Sequence, residues 1–550
     1  MSAWVKQQII GISMLEYQKI FDTFDLKEFE NSVFSGKEHD WNAAYECCDR
    51  WVDSNKIALN WISSKGKFEK LSYSDLEIKS KQFANILIQK GIENGDVVAG
   101  LLPRIPELLV AIVGTWRIGA VYQPLFTAFG PKAIETRISK KTGSNAKIIL
   151  TDSMNKSKLD NLPNCPIIIE IDRSNNSEKK FDKKLIKQKT DLKIVSLTRK
   201  DPFTTLFTSG TTGNPKGVVY PNEMLTAIAA YMIYGIGLSK NDSYWCMADP
   251  GWAYGLLYAV IGPLLMGATT TMYEGGFTTE STLSVIEKLN INNLAAAPTV
   301  YRLLMSSDKE LKLKLKGRLR VASSAGEPLN PELSRWAEKE LETPLCDHYG
   351  QSEFGMTLAN HHGLKHKQKK GSAGLPMPGM AVDILDKDNN PLPPGEPGNL
   401  AINISKSPLF MFKSYGYGAA SPIQNNWYLS GDTMIKDKEG YYFFVGRSDD
   451  IITSSGYRIG PFDVESALIE HQAVTEAAVI GKPDPERTEI VKAFIVLQKG
   501  YSSSDSLIVE LQNYVRKRLS AHAFPREISF IDELPKTPSG KVQRFLLRKK

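Results

Sequence analysis

At 550 residues the chain has room for several compact units rather than one. A hydrophobic content of 42% and a charged content of 23% are those of an ordinary globular protein and exclude a disordered or collagen-like chain. The net charge of +7 is concentrated in lysine-rich patches around residues 178–200 and 361–370. These read first as solvated loops that can attract anionic small molecules; without interleaved aromatics or a recognition helix they give no nucleic-acid module. The five cysteines, Cys47, Cys48, Cys165, Cys246 and Cys346, form no C-x-x-C pair. Neither a disulfide framework nor a zinc site is expected, and a reducing cytoplasm is. Residues 1–15 lack the basic start and continuous apolar core of a signal peptide.

In chain order, residues 76–90 carry apolar side chains at helical spacing and predict a helix. Residues 97–102 predict a short buried strand, and residues 106–119 a helix leading to Val121 and Tyr122. Residues 146–150 with Thr151 and Asp152 predict another strand and its edge. This βαβα rhythm over residues 70–330 predicts a parallel sheet covered by helices, with ligands at the carboxyl ends of its strands.

The apolar, threonine-rich run 203–207 leads into Thr208-Ser209-Gly210-Thr211-Thr212-Gly213-Asn214-Pro215-Lys216-Gly217. Ten residues hold four hydroxyls, three glycines and one lysine. Glycine permits close backbone approach to a phosphate, the hydroxyls add donors, and Lys216 adds a mobile charge. A Walker A loop is excluded, because it needs glycine directly before the lysine and Ser or Thr directly after it. Further on, residues 251–273 contain no charged residue, which meets the length of a spanning helix. Gly262-Pro263 interrupts the run, and Gly267-Ala268-Thr269-Thr270-Thr271 reads as a turn entering a strand. Two buried elements, a helix and then a strand, are predicted instead of membrane insertion.

Beyond about residue 370, turn-formers crowd residues 371–378 and 391–398. The short runs 381–385, 399–404 and 441–445 predict a small β-rich subdomain over about 371–446. Residues 463–471, 477–480, 492–498 and 504–519 then predict a separate small α/β unit.

Five motifs follow the threonine-rich loop in order. They are Ala325-Gly326-Glu327-Pro328, Tyr349-Gly350-Gln351-Ser352-Glu353, Tyr428-Leu429-Ser430-Gly431-Asp432, Gly446-Arg447-Ser448-Asp449-Asp450 (with the turn Ser455-Gly456-Tyr457-Arg458), and Pro535-Lys536-Thr537-Pro538-Ser539-Gly540-Lys541. The ordered set, from about residue 40 to the end, resembles the adenylate-forming superfamily of acyl-CoA synthetases, luciferases and nonribosomal adenylation domains. The resemblance implies an α/β fold of two domains. Residues 1–448 would form a large N-terminal domain of helix-covered sheets with the β-rich subdomain. Residues 449–550 would form a small, mobile C-terminal α/β domain turning about a hinge at Asp449.

The same resemblance implies ATP and coenzyme A as substrates, Mg2+ as cofactor, and activation of a carboxylate through an acyl-adenylate. Positioning and electrostatics carry such a displacement. Thr208, Ser209, Gly210, Thr211, Thr212, Gly213 and Lys216 would hold the β/γ-phosphates. Gly326, Glu327 and Pro328 would flank the adenine, near Asp347, His348, Tyr349, Gln351 and Ser352. Glu353 would hold magnesium, and the acceptor-only carboxylate of Asp432 would take the ribose hydroxyls. Arg447 and Arg458 would reach ribose or phosphate, and Lys541 would bridge the carboxylate and α-phosphate as charge builds. Gly456 and Tyr457 would line the coenzyme A path once the C-terminal domain has turned. Acylation of Lys541 by a lysine acyltransferase, reversed by a deacylase, would remove its charge and block adenylation.

For the acid, the whole-chain resemblance runs to acetyl-CoA synthetase-like and medium-chain acyl-CoA synthetases, with Trp252, Ala253, Tyr254, Ala325 and Gly350 as pocket walls. Gly350 stands where strict acetate enzymes carry a tryptophan. An opened floor would favour an acid three methylenes longer by roughly 60-fold, at about 0.8 kcal/mol each. This predicts a short branched acid or a straight one of about four to eight carbons. The alternatives are a Gly350 required by backbone geometry with neighbours refilling the space, an acetate-specific enzyme, and an enzyme that loads a carrier protein.

Overall fold

The computed structural model describes residues 15–35, 41–171, 181, 184–208, 215–416, 421–454, 457–485, 487–519, 523–536 and 541–549, with the backbone alone for Lys309, Leu311, Tyr457 and Arg458. Two six-stranded sheets dominate the N-terminal part. The first runs Ile167–Ile171, Ile148–Asp152, Val97–Leu101, Val121–Pro124, Pro202–Phe207, Gly217–Pro221. It is parallel except for its last strand, which returns antiparallel after the phosphate-loop candidate. Every residue of Val97–Leu101 is buried, which accounts for its continuous apolar sequence. The helix Tyr73–Gln89 starts earlier than its apolar period, because Ser72 and Asp75 form a capping box around its first turn.

The second sheet runs Tyr244–Cys246, Asn293–Ala296, Val321–Ala325, Leu345–Gln351, Gly355–Ala359, Leu375–Pro376. Its first four strands are parallel, and Gly355–Ala359 folds back antiparallel on Leu345–Gln351. The uncharged segment divides into a helix and a strand as expected, but the break falls at the turn around Gly267 and the helical rod runs on through Gly262 and Pro263. Ala253–Gly255, a π-helical turn Leu256–Ile261 and Gly262–Leu265 form one buried rod, and Thr270–Tyr273 is a strand parallel to Ile57–Ile62. The π turn has no marker in the sequence. Among the described residues no helix is long and apolar enough to cross a membrane.

The β-rich part is an antiparallel sheet of Val382–Leu385, Pro397–Asn403, Trp427–Lys436 and Ile423–Gln424, with Tyr442–Arg447 also paired to Trp427–Lys436. From Ile452 the chain builds a sheet of its own: Tyr457–Ile459, Ile452–Ser454, Thr488–Leu497 and Val474–Asp484, plus Glu527–Phe530. Helices Pro461–Ile469 and Asp505–Arg518 supply Leu468 and Leu511 to a separate core with Val479 and Ile495. The strand Val474–Asp484 is longer than its apolar centre, because its ladder with Thr488–Leu497 continues through polar residues. This C-terminal domain touches the rest through Phe462 against Phe444, centroids 6.0 Å apart, and the Arg335–Glu470 ion pair at 3.2 Å.

His348 lies on strand Leu345–Gln351 of the second sheet, and His361 and His362 follow the returning strand Gly355–Ala359; the first two are buried and His362 is half-buried. Burial pushes His361 down to about 3 and His362 down to about 4 from the usual 6.5, so both are neutral in the fold. An unfolded chain takes those protons as pH falls through 6.5, so their contribution to stability is full above that value and is lost towards pH 4. We expect the thermal midpoint to fall steadily between pH 7 and pH 5. A His362→Gln variant should show a flatter profile over that window, read by circular dichroism.

Candidate active site

Strand Leu345–Gln351 ends at the carboxyl edge of the parallel sheet, where it meets the β-rich sheet at Asp432. The Tyr349 hydroxyl donates to Asp432 Oδ2 at 2.5 Å, and Gln351 Nε2 donates to the same oxygen at 2.7 Å. Arg447, directly across the ladder from Asp432, donates Nη1–H to Oδ1 at 2.9 Å. Tyr428 fixes the Gln351 amide by donating to Oε1 at 3.1 Å. Asp432 is only 5% exposed. Burial and the Asp432 charge push the Tyr349 hydroxyl up, keeping it a donor. A carboxylate has about four acceptor positions and three are taken here, so one, on Oδ1, remains for a ligand.

The turn after Val321–Ala325 is shaped by Gly326, whose φ of +98° favours glycine. Asp347 braces this turn from the neighbouring strand by accepting the Leu329 N–H at 3.2 Å. Its carboxyl is pushed well up by burial. Glu327 is held by Arg302 at 3.1 Å, with Thr299 beside it. Pro328 follows on the same turn, half-buried.

Glu353 lies just past the strand end. Its Oε1 accepts the Tyr415 hydroxyl at 2.6 Å, and the Lys216 ammonium stands 4.8 Å above the Tyr415 ring. Thr208 N–H closes the phosphate-loop candidate on Lys216 O at 2.9 Å. Ser352 contributes its carbonyl, which accepts the Tyr220 hydroxyl. Ser209, Gly210, Thr211, Thr212, Gly213 and Gly456 lie outside the described residues, while Tyr457 and Arg458 belong to a strand paired with Ile452–Ser454. Asp449 pairs with Arg447 at 3.5 Å, and Lys541 is exposed on the C-terminal domain.

The expected acyl walls divide between two clusters. Ala253, Tyr254, Tyr349 and Met356 pack on the main core, whereas Trp252 sits with Phe126 and Phe129, each ring centroid 5.3 Å away. Ala325 is buried at the end of its strand. The opening expected beyond Gly350 is filled. A β-carbon there would collide with the Gly355 carbonyl oxygen and lie 2.7 Å from the Met356 sulfur. Gly350 and Met356 are ladder partners at a register shift, and that close approach requires the glycine.

Behind this wall a hydrogen-bond chain has a fixed direction. His348 Nε2 faces the Asn360 carbonyl at 3.4 Å, which only accepts, so Nε2 carries the proton. Nδ1 then accepts from the Tyr231 hydroxyl at 2.7 Å, and Tyr231 accepts from Tyr254 at 3.0 Å. Burial and the neighbouring His362 hold His348 neutral. Tyr415, Met356 and Tyr231 were not singled out from sequence. The only signal was the aromatic run Phe410-Met411-Phe412 before Tyr415.

The profile of AMP-binding enzymes matches residues 48–415, and that of the AMP-binding enzyme C-terminal domain matches residues 463–541. The chain belongs to the AMP-binding enzyme family. It is similar to the acetyl-coenzyme A synthetase of Bacillus subtilis (strain 168), 38% identical over 98% of this chain and 95% of that protein. The human mitochondrial acyl-coenzyme A synthetase ACSM3 is 36% identical over 93% of this chain and 89% of its own length. Among solved structures, the Brucella canis acyl-CoA synthetase is 49% identical, with a TM-score of 0.79 over 98% of this chain and 99% of that one. The anthranilate CoA ligase AuaEII, solved with anthranoyl-AMP, is 26% identical, with a TM-score of 0.84 over 96% of this chain and 98% of its own. Within its family this chain is an AMP-forming acyl-CoA synthetase: an ATP-dependent ligase that works through an acyl-adenylate.

Removing one charged hydrogen bond from Asp432 loosens that carboxylate without unpairing it. Tyr349→Phe is expected to raise the KM for ATP by about tenfold, the scale of a hydrogen bond to a charged group. Steady-state kinetics and an unchanged circular dichroism spectrum check this together.

Proposed function

We propose that this enzyme activates a short- to medium-chain carboxylic acid with ATP and transfers the acyl group to coenzyme A, releasing AMP and pyrophosphate. The supporting observation is the joining of two charged centres at one strand end. Asp432 is held by Tyr349, Gln351 and Arg447, and Glu353 lies beside Lys216 across Tyr415. In this reading Asp432 receives the ribose hydroxyls, with Arg447 and Arg458 at ribose or phosphate. The turn of Gly326, Glu327 and Pro328 flanks the adenine, braced by Asp347. Lys216 and the loop of Thr208, Ser209, Gly210, Thr211, Thr212 and Gly213 hold the β/γ-phosphates.

Magnesium fits this donor set. With Oε1 bound by Tyr415, Glu353 Oε2 has no hydrogen bond among the described residues. No group of three or more His, Cys, Asp or Glu among the described residues could hold a metal. The ion would therefore be held by Glu353, phosphate oxygens and water. Bound there, it would neutralise phosphate charge as the α-phosphorus is attacked.

Lys541 supplies the cation that bridges acid and α-phosphate in the first half-reaction. The C-terminal domain then turns at Asp449, and Gly456 and Tyr457 admit the thiol. The reaction runs in the cytoplasm, and acylation of exposed Lys541 by a lysine acyltransferase switches off the first half alone. Lys541→Ala should slow acid-dependent pyrophosphate exchange by about 100-fold or more, the cost of losing a charge-stabilising group. Thioester formation from supplied acyl-adenylate should persist, and equal loss in both assays would sink this division of labour.

The acid is bounded by Met356 rather than by an empty channel. Met is unbranched and adaptable, so a short or medium chain can displace it where an indole could not move. Coenzyme-A-dependent AMP release should peak at a branched or four-to-eight-carbon acid among acetate, isobutyrate, 2-methylbutyrate, butyrate, hexanoate, octanoate and benzoate. Met356→Ala should move the optimum to a longer acid. A wild-type maximum at acetate would mean that Met356 keeps the floor closed.

A further inference from the structure

Lys216 and Glu353 carry opposite charges around one site, and direct pairing would quench both. Among the described residues no ion pair joins them. Tyr415 stands between them, in the long connection from strand Pro397–Asn403 to strand Ile423–Gln424. Its hydroxyl donates to Glu353 Oε1 at 2.6 Å while its ring face lies 4.8 Å below the Lys216 ammonium. One side chain thus meets the anion with its polar tip and the cation with its π-face.

The placement is built rather than incidental. Gly416 N–H donates to Gly217 O at 2.8 Å, an antiparallel bridge that ties the residue after Tyr415 to the residue after Lys216. Tyr415 is 9% exposed and packs edge-on against Phe412, which packs edge-on against Tyr428. Tyr428 in turn donates to Gln351, the residue that holds Asp432.

We propose that Tyr415 is a positioning residue for the triphosphate end of the site. It holds the Glu353 carboxylate by one oxygen, leaving the other for the cation, and seats Lys216 for phosphate, so the two charges stay available to ligand instead of to each other. The proposal rests on the reading of Glu353 as the magnesium carboxylate and Lys216 as the phosphate lysine.

Two variants separate the two halves of the side chain. Tyr415→Phe keeps the ring under Lys216 and removes the hydroxyl; Tyr415→Leu removes both. Binding of a fluorescent ATP analogue would be titrated with MgCl2 and, separately, in EDTA, with Glu353→Gln as reference. Tyr415→Phe is expected to raise the Mg2+ concentration for half-maximal enhancement of nucleotide binding by about tenfold. Binding in EDTA and the KM for acid and coenzyme A should stay within twofold. Tyr415→Leu should also weaken binding in EDTA, because Lys216 loses its seat.

If Glu353→Gln shifts the Mg2+ dependence and Tyr415→Phe does not, the proposal fails while the Glu353 reading stands. If Glu353→Gln itself leaves the Mg2+ dependence unchanged, both fall together. Equal weakening by Tyr415→Phe in MgCl2 and in EDTA would indicate a purely structural role and would also overturn it.

Discussion

Asp432 is a carboxylate at 5% exposure, and a charge so buried costs several kcal/mol unless donors meet it. Tyr349 and Gln351 meet it from the end of the parallel sheet and Arg447 from the β-rich sheet, the two sides of the seam between them. Satisfying this one charge therefore fixes how the two sheets abut. It also fixes the end of strand Leu345–Gln351, and with it the position of Glu353 two residues beyond. Tyr428 extends the same constraint through the Gln351 amide to the aromatic packing beneath Tyr415.

Around Gly350 the constraint is packing instead of charge. At the register shift between Tyr349 and Gly350 the backbone of Gly355 comes too close for any side chain at position 350. The residue facing that gap is Met356, the ladder partner of Gly350. Nearby, the chain from the Asn360 carbonyl through His348 and Tyr231 to Tyr254 has one direction, because a carbonyl can only accept. Its members are neutral at working pH, so this wall adds shape and polarity without net charge.

The C-terminal domain has a core of its own and meets its neighbour through helix Pro461–Ile469. Its core of Ile452, Leu468, Val479, Ile495 and Leu511 is separate from the others. Near the hinge candidate, Asp450 is bound by Arg548 and lies 3.6 Å from Arg544, which also clamps Glu465. Those ties are internal to the domain. By contrast, the contacts across the seam include an exposed ion pair, Arg335–Glu470, of a kind that contributes about 1 kcal/mol or less.

The sequence by itself determined the alternation of helix and strand, the helix-then-strand split of residues 251–273, and the ordered motifs that define the family. Those features are local: hydrophobic period, proline and glycine placement, and short runs of chemically specialised residues express themselves within a turn or two of chain. It also located Asp432, Arg447, Tyr349, Gln351 and Glu353, though not that the first four share one hydrogen-bonded cluster. Tertiary structure alone decided that Gly350 abuts backbone rather than empty space, because the obstacle lies on the returning strand. It alone brought Tyr415 between Lys216 and Glu353 across long stretches of intervening sequence. A tyrosine in an aromatic-rich loop carries no mark of its partners; only the packing that buries it can say which charges it must satisfy.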